Sequence, residues 1–340
     1  MAALQRILEL NHRRRRRSRV YDTNAHLRRH FFLLDIYSDA AIIGKYRLLG
    51  ATIRQLIDNL GPQLQRPTGR TFALSPTVQV LTALRFYATG SFMEVVGDSL
   101  GLSKASVSRA VAAVTPLLLQ HVQSISFPTT ADEILQANQA FHAVAELPRV
   151  IGAIDGTLIQ IASPSQDEPM FICRKGYPAN VAGYHHVTTS PRHHHVTNVV
   201  LAEDGGFADS WLLGDSGYPL HPYLLTPVLQ PATPAEHRHN EAHASTRNIV
   251  ERAIGIWKQR FRCISHSSGG LQLAPDKCCS VIVATALLHN LAVLANAPLP
   301  EEGLLLEDVA GPPEVPPEPG RPHAAGTETR RRLINNLFAD

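Results

Sequence analysis

The stretch Val150-Ile-Gly-Ala-Ile-Asp-Gly-Thr-Leu-Ile-Gln-Ile161 constrains this chain more than any other. It is apolar at both alternating positions and carries a single carboxylate, Asp155, between Gly152 and Gly156. That is the pattern of a strand covered on both faces. Burying a lone carboxylate is expensive, so an Asp in such a strand is paired, hydrogen-bonded or bound to a cation. Two later places can supply its company. Trp211-Leu-Leu-Gly-Asp215-Ser-Gly-Tyr-Pro219 is a short apolar run ending in Asp215 and a turn, and Ile249-Val-Glu251-Arg-Ala-Ile-Gly-Ile-Trp257 sets Glu251 in an amphipathic helix. One carboxylate in a strand, one at a strand end and one on a helix are the hard oxygen donors that paired Mg²⁺ or Mn²⁺ ions, about 3.5–4 Å apart, need in order to cut a phosphodiester. Taken alone, Glu251 is better explained by an ion pair with Arg247 one turn earlier.

Composition narrows the class. In 340 residues, hydrophobic types make up 44% and charged types 18%, which is globular and leaves room for two domains. No uninterrupted apolar run reaches the roughly 18 residues of a membrane span, so no membrane partner is expected; the nearest run, 280–294, contains His289 and Asn290. No signal peptide is expected from the first residues, where arginines follow with no apolar core. Cys173, Cys263, Cys278 and Cys279 form no spaced framework, which favours a reducing compartment. The net charge of +3 is unevenly spread, with Arg13-Arg-Arg-Arg-Arg-Ser-Arg19 and Arg28-Arg29 making a basic arm over residues 1–30. Such an arm can neutralise phosphates, act as a nuclear address, or simply be a solvated terminus.

Residues 31–128 read as helical. Ser75-Pro76 supplies a cap and a first position for a helix reaching Ala88, and Phe92 to Leu100 makes a second. Gly101-Leu-Ser103 is a tight turn before a third helix from Lys104 to about Val114. Gly97 is small where the helices cross, while Val96, Leu100, Leu102, Val107 and Ala110 face inward, as in a helix-turn-helix unit. The outward side of the third helix offers Lys104, Ser106, Ser108 and Arg109 to phosphates and base edges of DNA. An ordinary three-helix packing unit with a solvated polar face is the competing reading.

Residues 129–149 form another helix, leading into the strand at Val150. The crowd of His185, His186, His193, His194 and His195 reads as a surface, low-complexity segment in preference to a transition-metal site, because adjacent histidines diverge and no Cys or carboxylate stands at a ligand spacing. Residues 196–201 are a plausible strand, 218–234 are turn-rich, and a helix runs from about Ala242 to Phe261. Its buried stripe is Val250, Ala253, Ile254, Trp257 and Phe261, with Arg247, Glu251, Lys258 and Arg262 along the border. Lys258 and Arg262 can meet a nucleic-acid backbone there. Residues 276–296 form a last apolar helix, 299–322 an acidic, proline-rich linker, and 327–338 a short closing helix.

Gly152-Ala-Ile-Asp155-Gly-Thr157, Leu213-Gly-Asp215-Ser-Gly-Tyr-Pro219-Leu, Thr226-Pro227, Arg247 with Val250-Glu251-Arg-Ala253, Gly255-Ile-Trp-Lys258-Gln-Arg-Phe-Arg262 and Leu288-His-Asn290 resemble the DDE superfamily endonuclease domain of PIF/Harbinger transposases and the nucleases derived from them. The resemblance covers roughly residues 49–296 and includes the helix-turn-helix. It implies an α/β, RNase H-like catalytic core with a mixed sheet over 129–298, preceded by an all-α DNA-binding domain over 31–128 and followed by a tail over 299–340. It implies that Asp155, Asp215 and Glu251 hold Mg²⁺ or Mn²⁺, that the substrate is DNA, and that transposition itself is lost. A Myb-like nuclear protein is the implied partner, and the nucleus, with the cytoplasm, the implied location. Residues 163–209 depart from the family pattern: they are short and histidine-rich, and lack the Gly-Ser-x-x-Asp turn of the two strands that belong there. That departure leaves a second reading open, a DNA-binding adaptor of transposase descent without chemistry.

Overall fold

The computed structural model describes residues 33–65, 73–120, 128, 130–162, 180–187, 210–299 and 322–338. The basic arm, the proline-rich linker between the last two helices, the strand expected over 196–201 and His193, His194 and His195 lie outside them.

The amino-terminal half is helical: α1 Leu33–Ile36, α2 Asp39–Tyr46, α3 Gly50–Leu64, α4 Pro76–Thr89, α5 Met93–Leu100 and α6 Lys104–Leu119. The start of α4 follows its sequence signal, with Ser75 Oγ accepting from Val78 N and Pro76 in the first turn. Between α5 and α6 the chain turns by 102°. Two glycines make that turn possible. Gly101 takes φ +66°, and a Cβ on Gly97 would stand 2.5 Å from the carbonyl oxygen of Leu102. Val96, Leu100, Val107 and Ala110 are buried as expected, and Leu102 half-buried. The helix α6 runs past the expected end at Val114 and carries Pro116 inside it.

Helix α7, Ala131–Ala145, begins in a reciprocal capping box between Thr130 and Glu133 and leads to β1, Val150–Gln160. The sheet order is β2-β1-β3-β4, with β2 Asn180–Val187, β3 Trp211–Leu213 and β4 Leu224–Leu225. Strand β1 pairs with β3 in parallel over its first residues and with β2 antiparallel from Ala153 to Gln160; β3 and β4 are parallel. Coverage of both faces holds only for the first half of β1: Val150 to Ile154 are buried, after which Gly156 and Leu158 are exposed while Thr157 and Ile159 stay inside. Asp155 sits at that change.

Three sequence expectations need correction. The histidine-rich stretch read as a surface, low-complexity segment supplies part of β2, which takes in His185 and His186 and pairs along the edge of β1. Leu224-Leu225, read as turn, is β4. Helix α8 spans Pro234–Arg260, starting eight residues before Ala242; Thr233-Pro-Ala-Glu236 is a capping box with proline in the first turn, a signal outweighed in the sequence by the surrounding prolines.

Helix α9, Pro275–Leu294, is long and apolar enough to cross a membrane, yet Val281, Leu287, Leu288 and Ala292 are packed inside the protein. It and α8 share one apolar cluster with the amino-terminal helices, in which Trp257, Phe261 and Leu288 meet the group containing Leu81, Tyr87, Val107 and Val111. The expected boundary between helical and catalytic parts is therefore crossed by a single core. A second cluster joins Val150, Ala153, Leu213 and Leu225 of the sheet to Val250 and Ala253 of α8 and Leu333 of the last helix, α10 Ala324–Leu337.

Candidate active site

The parallel register of β1 and β3 brings two of the acids level. Ala153 pairs with Leu213, and each aspartate lies two residues beyond that pair, Asp155 still in β1 and Asp215 in the turn that leaves β3. Gly214 keeps the ladder going for one more bond, its N–H donating to Leu225 O at 2.9 Å. Asp215 Oδ1 then accepts from Gly217 N at 3.0 Å, which fixes the start of the turn. A Cβ on Gly214 would stand 3.1 Å from the Tyr218 ring, so the turn folds back tightly over β3.

Helix α8 delivers the third acid. Val250, Ala253, Ile254, Trp257 and Phe261 are buried, so Glu251 stands at the border of the packed stripe, with its side chain 46% exposed. Farther along, Lys258 Nζ donates to Leu158 O at 3.2 Å. From Glu251 to Lys258 the helix advances about 10 Å, and from Asp155 to Leu158 the strand advances about 10 Å. With Arg247 reaching Asp155 at 3.5 Å one turn before Glu251, helix and strand run side by side in the same direction.

Arg247 joins the two. Its Nη1 lies 3.5 Å from Asp155 Oδ1, and its Nη2 donates to Glu251 Oε1 one turn on. The ion pair foreseen as the bland explanation of Glu251 therefore exists, and it extends to Asp155. Burial pushes the Asp155 carboxyl up to about 6; Arg247 opposes this, the negative charges of Glu251 and Asp215 add to it, and the N–H of Gly156, 3.0 Å from Oδ1, works against it. The charges of Glu251 and Asp215 thus act on Asp155.

Among the described residues, no three His, Cys, Asp or Glu side chains converge closely enough to hold a metal ion in this arrangement. The donor chemistry nonetheless fits a divalent cation. All three acids offer hard oxygens, like charge is gathered around a partly buried aspartate, and a cation already sits there in the form of the Arg247 guanidinium.

The residues expected to touch nucleic acid fall in two places. On α6, Lys104, Ser108 and Arg109 are exposed, whereas Ser106 is half-buried and engaged, its Oγ 3.0 Å from Ser103 Oγ and 3.4 Å from Arg109 Nη2. Lys258 and Arg262 are half-buried near the end of α8. Arg262 adjoins the helical half, since a Cβ on Gly90, just before α5, would meet the Arg262 carbonyl at 2.9 Å. One feature that sequence reasoning missed is the docking of α10 beside this site. His323 N donates to Leu220 O, and Arg330 Nη1 donates to Thr226 O and Pro227 O, so the carboxyl-terminal helix braces the segment that follows Asp215. Its signal in a mostly polar sequence was the group Leu333, Ile334 and Phe338, of which the first two are buried and the third packs against the cluster holding Leu333.

Comparison with known proteins shows the family to which the chain is similar. The family profile described as "DDE superfamily endonuclease" matches residues 156–290, a span that holds Asp215 and Glu251 and begins one residue after Asp155. The protein named "Putative nuclease HARBI1" from Rattus norvegicus is 35% identical over 306 residues, covering 84% of this chain and 86% of its own. Its Homo sapiens counterpart is 34% identical over the same shares. "Protein ALP1-like" from Arabidopsis thaliana is 24% identical over 65% of this chain and 61% of its own. No solved structure matches the chain.

Proposed function

The chain belongs to the Harbinger transposase-derived nuclease family of the DDE endonuclease superfamily, and from that premise we propose that it hydrolyses phosphodiester bonds of DNA with a divalent metal, without transposition. The observation that carries the reading is the geometry of the acids: Asp155 and Asp215 lie at equal distance past the Ala153–Leu213 pair of neighbouring strands, and Arg247 ties Asp155 to Glu251. The sheet order β2-β1-β3-β4, antiparallel then parallel, supports an RNase H-like core. The 102° turn between α5 and α6, and the exposure of Lys104, Ser108 and Arg109, support a helix-turn-helix that grips DNA.

In this proposal Asp155, Asp215 and Glu251 hold Mg²⁺ or Mn²⁺. The bound ion supplies Lewis-acid polarisation of the scissile phosphate and neutralises the charge that develops on it. The protein's own work is positional. Strand β1 and the turn after β3 present their aspartates from a shared register, and α8 presents Glu251 from above. Lys104, Ser106, Ser108 and Arg109, with Lys258 and Arg262, hold the sugar-phosphate backbone, a contact that weakens with salt. The partner readings go with it: DNA as substrate, a Myb-like protein for nuclear entry, and residence in the nucleus as well as the cytoplasm.

The test is cleavage of duplex DNA with and without Mg²⁺ or Mn²⁺, comparing wild type with Asp155→Asn, Asp215→Asn and Glu251→Gln. Metal-dependent nicking that each substitution abolishes is expected; nicking that survives all three rules the mechanism out. The ties of Arg247 to Asp155 and Glu251 favour one second reading, a DNA-binding adaptor in which Arg247 permanently occupies these two acids. That reading requires salt-dependent DNA binding with no metal-dependent cutting.

A further inference from the structure

We propose that Arg247 is the cation this site holds before a divalent metal arrives, and that metal binding drives its guanidinium out from between Asp155 and Glu251. The inference rests on the metal-site reading above and adds a competition to it. Arg247 occupies one oxygen of each acid: Asp155 Oδ1, which also accepts from Gly156 N at 3.0 Å, and Glu251 Oε1. Asp215 is turned instead toward its own backbone, at Gly217 N. The three acids and one arginine leave a local charge of −2, from three negative groups and one positive. Two divalent ions would overbalance the acids even without the arginine, so a guanidinium left in place would face cations at contact range. It has somewhere to go. The Arg247 side chain is 21% exposed and Glu251 46%, so the flexible arginine can swing to solvent while the α8 backbone stays fixed.

The same contacts are compatible with an opposite role, in which Arg247 holds Glu251 toward Asp155 and prepares the ligands. The two roles differ in sign when Arg247 is removed. Calorimetric titration of MnCl₂ into the full-length wild type, Arg247→Gln and Asp155→Asn separates them. Displacement predicts that Arg247→Gln binds Mn²⁺ about two- to fivefold more tightly than wild type, the gain from losing a partly exposed ion pair, and that Asp155→Asn does not bind. Equal or weaker binding by Arg247→Gln overturns the inference and leaves the metal site standing. Absence of Mn²⁺ binding in both wild type and Arg247→Gln overturns the metal-site reading itself. A second measurement uses only the wild type and is independent of whether the variant folds. The ¹⁵N guanidinium resonances of Arg247, restrained by two carboxylates in the metal-free protein, should shift and show free rotation at saturating Mg²⁺. Resonances that stay restrained at saturation overturn displacement.

Discussion

Arg260, in the last turn of α8, donates to the backbone carbonyl of Arg47, 213 residues earlier in the chain. The same guanidinium donates to Ala297 O at 3.0 Å and Pro298 O at 3.4 Å, beyond the end of α9. Burial, and then the neighbouring Arg47, push it down to about 10, still charged at neutral pH. Three backbone carbonyls from two halves of the molecule thus converge on one planar fork. Arg260→Ala should destabilise the fold by about 3 kcal/mol, because it strands buried acceptors. Arg260→Lys should recover less than half of that, since an ammonium cannot span the three. Urea unfolding measures both; a loss under about 1 kcal/mol for the alanine variant contradicts this role.

The crossing of α5 and α6 depends on Gly97. An alanine methyl there would sit 2.5 Å from Leu102 O, while Leu102 N already donates to Gly97 O at 2.8 Å. Gly97→Ala should therefore cost about 2 kcal/mol by forcing the helices apart and should weaken DNA binding together with stability. Replacing the exposed Lys104 and Arg109 by alanine should leave the unfolding midpoint in place and flatten the slope of log K against log salt by about 2. An unchanged slope in the double variant would remove α6 from the DNA-binding surface.

Asp155 makes stability depend on pH in a direction unusual for an aspartate. Its folded value, about 6, lies above that of the unfolded chain, so the native state favours the protonated form. The stabilisation it brings is complete below the unfolded value and is lost as pH rises to 6 and beyond. In metal-free protein, the stability of Asp155→Asn relative to wild type should grow from near zero at pH 4 to about 2 kcal/mol at pH 7. Saturating Mg²⁺ should reverse the order. Paired unfolding curves at the two pH values check it, and a pH-independent difference would show that burial and the neighbouring acids do not raise the Asp155 carboxyl.

The carboxyl-terminal helix should be separable in function. Deleting residues 322–340 removes the buried Leu333 and Ile334 and the bonds from His323 and Arg330 to Leu220, Thr226 and Pro227. A loss of about 3 kcal/mol is expected from the apolar area alone. A synthetic peptide spanning 322–338 should restore the melting temperature when added back. A truncated protein that melts like the full chain would mean that α10 only rests on the surface.

The parts legible in the sequence are those where one local rule dominates. An Asp within an apolar run marked β1, Ser75-Pro76 marked α4, and Gly97 with Gly101 marked the helix crossing. The acids' shared register could not be read locally, because it depends on the pairing of Ala153 with Leu213 across a long gap. Strand β2 went unseen because His185 and His186 break the apolar alternation, although its backbone pairing closes the edge of β1. The first turns of α8 were obscured by Pro231 and Pro234, a composition that reads as loop until Thr233 and Glu236 are recognised as partners. The two-sided role of Arg247 was only half visible: spacing along α8 gives Glu251, but the reach to Asp155 belongs to the tertiary fold.

The apolar cluster common to α4, α6, α8 and α9 also takes in Val96 and Leu100 of α5 and Ile159 of the strand bearing Asp155, so among the described residues the helix pair and that strand share one packed core. A duplex seated against α6 would then be presented to the acids at a span set by the protein alone. Linked modules on a slack tether would scatter their cuts, whereas a welded pair acts as a ruler, and the offset from the bound sequence to the broken bond should be a single number of base pairs.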